Sequence, residues 1–144
     1  MSNQADCDWC NKVDLEWRVI HDRKLCVSFV SKPWFRKGHC LVIPKKHAIQ
    51  VSELTDQENQ EVMDEIGALS NALDNGFGTG VIQKYMPLQS ENGVKMDHLH
   101  FHVFPRFENE ELLFPVPVPN SFAGFYFPTD EEIKKCLEYL KSPE

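Results

Sequence analysis

An α+β domain with a mainly antiparallel sheet is the fold class this sequence predicts. Three observations carry it. Short apolar runs follow one another at hairpin spacing, a long capped helix separates two of them, and a second capped helix lies near the end of the chain. At 144 residues the chain suits one compact domain that can bury a real core. Its 42% apolar and 26% charged residues are an ordinary globular balance.

Trp17 to Ile20 and Leu25 to Val30 read as two strands, with Asp22-Arg23 turning between them. Cys40-Leu41-Val42-Ile43 is a third, stopped by Pro44. Thr55-Asp56-Gln57-Glu58 is a capping box, and Val62, Ile66, Leu69 and Leu73 then recur on one helical face until Asn75-Gly76. Val81 to Met86 reads as a further strand and His98 to Phe104 as another. Thr129-Asp130-Glu131-Glu132 opens a helix with Ile133, Leu137 and Leu140 on its inner face. Between them, 112–128 holds Pro115, Pro117, Pro119 and Pro128 among apolar residues. It reads as a loop packed on the core, or as a lid or dimer contact.

Fifteen basic against twenty-two acidic side chains give a formal charge of −7. Such a surface repels phosphate backbones and anionic lipid, which disfavours a general nucleic-acid or membrane binder. No apolar run approaches the roughly 20 residues that span a bilayer. The first residues lack the basic and apolar blocks of a secretory signal, so the expected compartment is the cytoplasm. The five cysteines agree, being odd in number. Cys26, Cys40 and Cys136 sit in apolar patterns and read as small buried residues. Cys7 and Cys10 form a C-x-x-C pair, which is half a zinc site, a redox dithiol or a chance pairing.

Chemistry concentrates in His98-Leu99-His100-Phe101-His102-Val103-Phe104. Half of the six histidines fall within these few residues. On a strand the three imidazoles would share one face, with Leu99, Phe101 and Val103 on the other. At roughly 3.3 Å of rise per residue the outer two lie about 13 Å apart, too far for one metal ion to hold all three. At least one is therefore available as nucleophile, general acid or anion contact. Upstream, residues 31–47 carry Lys32, Arg36, Lys37, Lys45 and Lys46 with no acid among them, a pattern that suits attraction of an anionic substrate. His39 and His47 flank the third strand.

The heptad from His98 to Phe104 resembles the signature of the histidine triad (HIT) superfamily, three histidines alternating with apolar residues. Gly38-His39-Cys40-Leu41-Val42-Ile43-Pro44-Lys45-Lys46-His47 resembles that family's glycine–histidine strand, and Cys7-Asp8-Trp9-Cys10 is similar to the zinc-binding opening of many members. The likeness runs from Cys7 to about Arg106, with 107–144 as an extension of a single domain spanning 1–144. It implies a five-stranded mainly antiparallel sheet with two principal helices, commonly paired into a homodimer. It also implies hydrolysis or transfer at the α-phosphate of a purine nucleotide. His100 would be the nucleophile, forming a covalent nucleotidyl-histidine, with His98 and His102 beside it. Neutral imidazole is a good nucleophile near pH 7, which makes that role chemically coherent.

The resemblance further implies a structural zinc held by Cys7, Cys10, His47 and His98. Expected substrate contacts are His39, Ser31, Phe29, Gln89, Asn92 and Lys95, with Val30 as a second apolar candidate for the base pocket. The family often places a hydroxyl before the triad to contact phosphate. Here Gly93-Val94-Lys95-Met96 stands in that stretch, and Lys95 is expected to supply a cation instead. Dinucleoside polyphosphates, nucleoside phosphoramidates and adenylylated species all remain open as substrates, although His102 to Arg106 resembles the first branch. Two other readings compete: a hydrolase using zinc-bound water, and a non-catalytic nucleotide-binding module.

Overall fold

The computed structural model describes residues 7–32, 34, 36–84, 88–89, 95–96, 98–106 and 127–141. Asn92 and nearly all of the 112–128 segment lie outside them. Among the described residues seven strands and two α-helices follow in chain order: β1 (Val19–Asp22), β2 (Cys26–Val30), β3 (Cys40–Pro44), α1 (Asp56–Leu73), β4 (Thr79–Lys84), β5 (Leu88–Gln89), β6 (Lys95–Met96), β7 (His100–Pro105) and α2 (Asp130–Lys141). Five of the strands form one sheet in the order β1-β2-β3-β7-β4, with every pair antiparallel. β5 and β6 make a separate short ladder. The long helix carries the chain from β3 to β4, and β7 then inserts between those two strands. This is the five-stranded, two-helix fold that the family resemblance implies. No described helix is long and apolar enough to cross a membrane.

Both helices begin where the capping boxes place them. Thr55 Oγ1 accepts from the Glu58 N–H (3.1 Å), and the Glu58 carboxylate accepts from the Thr55 N–H (2.8 Å). Thr129 and Glu132 repeat the exchange at α2, at 3.2 and 2.9 Å. Val62, Ile66, Leu69 and Leu73 of α1, and Ile133, Leu137 and Leu140 of α2, then bury against one face of the sheet. Alternation along the strands supplies the facing residues, among them Ile20, Val30, Val42, Phe101 and Val103. Val30 therefore belongs to the helix side, and its expected place in a base pocket is corrected. The opposite face presents Val27, Phe29, Leu41 and Ile43 to an N-terminal segment carrying Cys7, Trp9 and Leu15.

Some strand limits differ from expectation for physical reasons. Trp17 falls in a 3-10 turn over Glu16–Arg18, where its indole N–H donates to Asp14 (2.6 Å), so β1 starts only at Val19. β7 begins at His100 because the residues before it have other partners. The Leu99 N–H donates to the Ala48 carbonyl (2.7 Å), and His98 Nε2 donates to that of Pro44 (2.9 Å). β4 runs Thr79–Lys84 rather than from Val81, and residues 85–87 lie outside the described set.

One carboxylate is buried between sheet and helix. Glu65 of α1, 1% exposed, accepts from His21 Nδ1 (2.7 Å), Arg23 Nε (2.8 Å) and the Ser28 hydroxyl. It ties the β1–β2 hairpin to α1. Glu65→Ala leaves the fully buried Ser28 hydroxyl, the His21 imidazole and the Arg23 guanidinium without this acceptor, and should lower unfolding free energy by about 2–3 kcal/mol. Urea titration reads this directly; a loss below about 0.5 kcal/mol would show the network to be dispensable.

Candidate active site

Two groups of side chains share the sheet face opposite the helices. The first is a four-donor cluster. The Cys7-Asp8-Trp9-Cys10 turn brings two thiols to His98, which precedes β7, and to His47, which follows β3. Cys7 Sγ lies 3.3 Å from His98 Nδ1, and Cys10 Sγ lies 3.2 Å from His47 Nδ1 and 3.6 Å from His98 Nδ1. All four donor atoms fall within 4.8 Å of one another, an arrangement that could hold a metal ion. The His98 tautomer suits ligation: Nε2 gives its proton to the Pro44 carbonyl, so Nδ1 turns a lone pair toward the thiols. Burial, with Cys7 alongside, pushes the Cys10 thiol up to about 12.

The second group is a row of imidazoles. His100 and His102 alternate with Phe101 on β7, so both rings face away from the helices, with centroids 5.0 Å apart. His98 precedes the β7 ladder and joins the four-donor cluster, while its ring stays on the same face as the other two. His100 is fully buried, and its Nδ1–H donates to the His98 carbonyl (2.7 Å). A carbonyl can only accept, so the ring carries its lone pair on Nε2.

His39, expected to touch substrate, is 1% exposed and hydrogen-bonds His102 through Nε2···Nδ1 (2.8 Å). It follows a glycine at φ +91°, a conformation that favours glycine, and its ring lies beside those of His102 and Phe104. Burial first, and then the nearby His100, lower the His39 pKa from 6.5 to about 3. The sign of the pH effect follows. Between those values the unfolded chain binds a proton that the folded state refuses. Stability from this group is therefore complete above pH 6.5 and is lost as pH falls toward about 3. Between pH 7 and pH 5, wild-type unfolding free energy should fall by about 2 kcal/mol more than that of His39→Gln. Urea titrations at the two pH values measure this, and equal slopes would remove His39 from the acid response.

Phe29 shares a cross-strand row with Leu41 and His102. It is fully enclosed, with the Trp9 ring edge-on at 5.6 Å and the Arg18 guanidinium 5.4 Å from its centroid. Ser31 is also buried, and its backbone N–H donates to the His39 carbonyl (2.9 Å). Gln89 and Lys95 face each other in the β5–β6 ladder. The basic run of the sequence is less one-sided in space. Lys32 pairs with Asp14 (3.3 Å), Lys45 with Asp22 (2.6 Å) and Lys46 with Glu58 (3.5 Å), so acids from elsewhere in the chain answer three of its charges.

Sequence reasoning passed over two residues here. Trp9, between the cysteines, stands edge-on to both His98 (5.8 Å) and His100 (5.1 Å). Its aromatic character inside a C-x-x-C turn was the available signal. Lys84 pairs with His100 in the β4–β7 register, a placement that only the ladder reveals.

The chain matches the HIT domain family over residues 13–109. It is 34% identical over 110 residues to an uncharacterized HIT-like protein of Borreliella burgdorferi, covering 73% of this chain and 78% of that one. An adenosine 5'-monophosphoramidase of Schizosaccharomyces pombe is 29% identical over 141 residues, covering 94% and 96%. Among solved structures, a zinc-bound histidine triad family protein of Mycobacterium smegmatis superposes with a TM-score of 0.67 at 18% identity, covering 96% and 95%.

Proposed function

The chain belongs to the HIT domain family, and from that premise we propose a hydrolase or nucleotidyl transferase that acts at the α-phosphate of a purine nucleotide. The observation that carries this reading is the hydrogen bond from His100 Nδ1 to the His98 carbonyl, which leaves Nε2 as the nucleophilic nitrogen. In the proposed step Nε2 attacks phosphorus and a P–N bond forms. The bond to the leaving group breaks, and that group departs with its electron pair and takes up a proton. Water then cleaves the nucleotidyl-imidazole link and restores His100. His102, on the same face, is placed to meet a phosphoryl oxygen or the leaving group, with His39 holding its ring. The name of the fission-yeast relative supports a phosphoramidate substrate.

Cys7, Cys10, His47 and His98 would hold zinc. A tetrahedron with Zn–S near 2.3 Å and Zn–N near 2.0–2.1 Å has S···N edges of about 3.6 Å. The observed S···N separations of 3.2–3.6 Å come close to that. Bound there, zinc would supply structural cross-linking, since four protein donors complete its coordination. That favours the covalent mechanism over one that uses metal-bound water.

Residues 1–144 are read as one HIT domain, with its motif-bearing core at about 7–106 and an extension over 107–144. It is also read as a homodimer, with the cytoplasm as its compartment. β4 is an edge strand carrying Val81 at 47% exposure, which suits a self-association surface. His39, Phe29, Ser31, Gln89, Asn92 and Lys95 are proposed substrate contacts. Lys95→Ala should lower kcat/KM by about one to two powers of ten, with Lys95→Ser recovering part of the loss. Unchanged kcat/KM on both an adenosine phosphoramidate and a dinucleoside polyphosphate would make Lys95 surface charge.

The deciding experiment incubates the protein with a labelled adenosine phosphoramidate and quenches into base, because a phosphoimidazole is acid-labile. Label on the His100 peptide supports the mechanism. Turnover with no labelled peptide, even under rapid quench, would overturn it.

A further inference from the structure

Gly80 lies inside β4, where a glycine weakens the strand and marks a close approach. Its backbone does not explain it. Gly76 and Gly78 take φ of +96° and +81°, whereas Gly80 keeps a conformation open to other residues. Space is the reason, and Phe104 takes it. The two residues are directly opposed in the β4–β7 register, and a Cβ on Gly80 would fall 2.5 Å from Cε2 and Cζ of the Phe104 ring. Opposed residues ordinarily keep their Cβ atoms about 4.5–5.5 Å apart, with side chains standing off the sheet. The Phe104 ring instead leans across β4, into the volume a side chain at residue 80 would fill.

That lean has a counterpart on the other side of β7. In the order β3-β7-β4, the residue that leads into β3 is His39. Phe104 meets the His39 ring edge-on, with centroids 6.2 Å apart and planes at 82°. The His39 ring in turn lies 4.9 Å from that of His102, with Nε2 2.8 Å from its Nδ1. All three side chains are buried, so close packing couples their positions.

We propose that Gly80 is a positioning residue for His102, acting through Phe104 and His39. The missing Cβ lets Phe104 lie over β4. The His39 imidazole then has room to hold His102 Nδ1, and Nε2 is the nitrogen that His102 offers to substrate. This rests on the role given to His102 under the proposed function, and it adds a steric reason for that ring's orientation. A methyl at residue 80 meets the far end of a rigid ring that is only 4% exposed. The ring must swing back over β7, and the displacement passes to His39.

The test compares wild type, Gly80→Ala, Phe104→Leu and the double variant Gly80→Ala/Phe104→Leu by two readouts. The first needs no turnover. Correlation spectra of isotope-labelled histidine report which ring nitrogens of His39 and His102 carry or accept a proton. Gly80→Ala should move these nitrogen shifts, and the double variant should return them, because leucine lacks the two ring atoms that the new methyl meets. The second readout is steady-state kinetics on an adenosine phosphoramidate. Gly80→Ala should lower kcat at least about tenfold with KM within about threefold of wild type. In the Phe104→Leu background the same methyl should cost less than about threefold. That comparison stands even where Gly80→Ala alone folds poorly. Unchanged nitrogen shifts in Gly80→Ala, unchanged kcat beside altered shifts, or an equal cost in both backgrounds would overturn the proposal. A wild-type protein without turnover would remove the proposed function instead, and the nitrogen shifts would then decide the placement of His102 alone.

Discussion

His100→Gly should bind nucleotide within a few-fold of wild type and lose at least about four powers of ten in kcat. Removal of a nucleophile strikes the transition state and spares the ground state, so the effect falls on kcat rather than on affinity. Losses for such groups of about 10⁴ to 10⁶ correspond to roughly 5–8 kcal/mol of transition-state stabilisation. The imidazole fills a closed position against Trp9, so glycine also leaves a cavity. His100→Asn answers that concern, because its amide can still donate to the His98 carbonyl while offering no nucleophilic nitrogen. Single-turnover kinetics with a labelled nucleotide measure the chemistry, and tryptophan fluorescence from Trp9 reports binding beside the site. Near-wild-type turnover by both variants would sink the covalent mechanism.

How much of this was legible in the sequence depends on the range of the interaction. Thr55 and Thr129 announce their helices because a capping box is complete within four residues, and both boxes form as written. The strand alternation from His100 onward is equally local, since the side-chain period of two needs no partner. His98 keeps the same alternation, with Leu99 on the helix side, but its partners are not local: they are Pro44 and thiols near the other end of the chain. Residues 31–47 fail for a related reason. A run of cations shows its own charge in the sequence, but Asp14, Asp22 and Glu58 become its neighbours only on folding. His39 could be placed beside a strand from its glycine, yet its hydrogen bond to His102 depends on the β3–β7 pairing. The family resemblance supplied the four-donor set, whose members come from three distant segments.

Cys7→Ser/Cys10→Ser should abolish zinc binding, lower stability by about 3–5 kcal/mol and leave the chemistry of the folded fraction within about tenfold. The wild-type protein, purified without chelators, should carry one zinc per chain. In small zinc-finger peptides the metal supplies roughly 10–16 kcal/mol and folding depends on it entirely. Here the larger apolar cluster between sheet and helices contains none of the four ligands, so the sheet should survive metal loss. What depends on the metal is the N-terminal segment, which covers Phe29, Leu41 and Ile43 through Trp9 and Leu15. Releasing a tryptophan of that kind from its packed position costs about 3–5 kcal/mol, which sets the expected loss. The effect on turnover is smaller because His100 takes its orientation from the His98 backbone carbonyl, not from the His98 ring. Elemental analysis, thermal denaturation and kinetics on the same preparations separate these effects. Equal zinc in the double variant, or none in wild type, would contradict the ligand assignment. Full stability with zinc absent would show that the segment holds its place by packing alone.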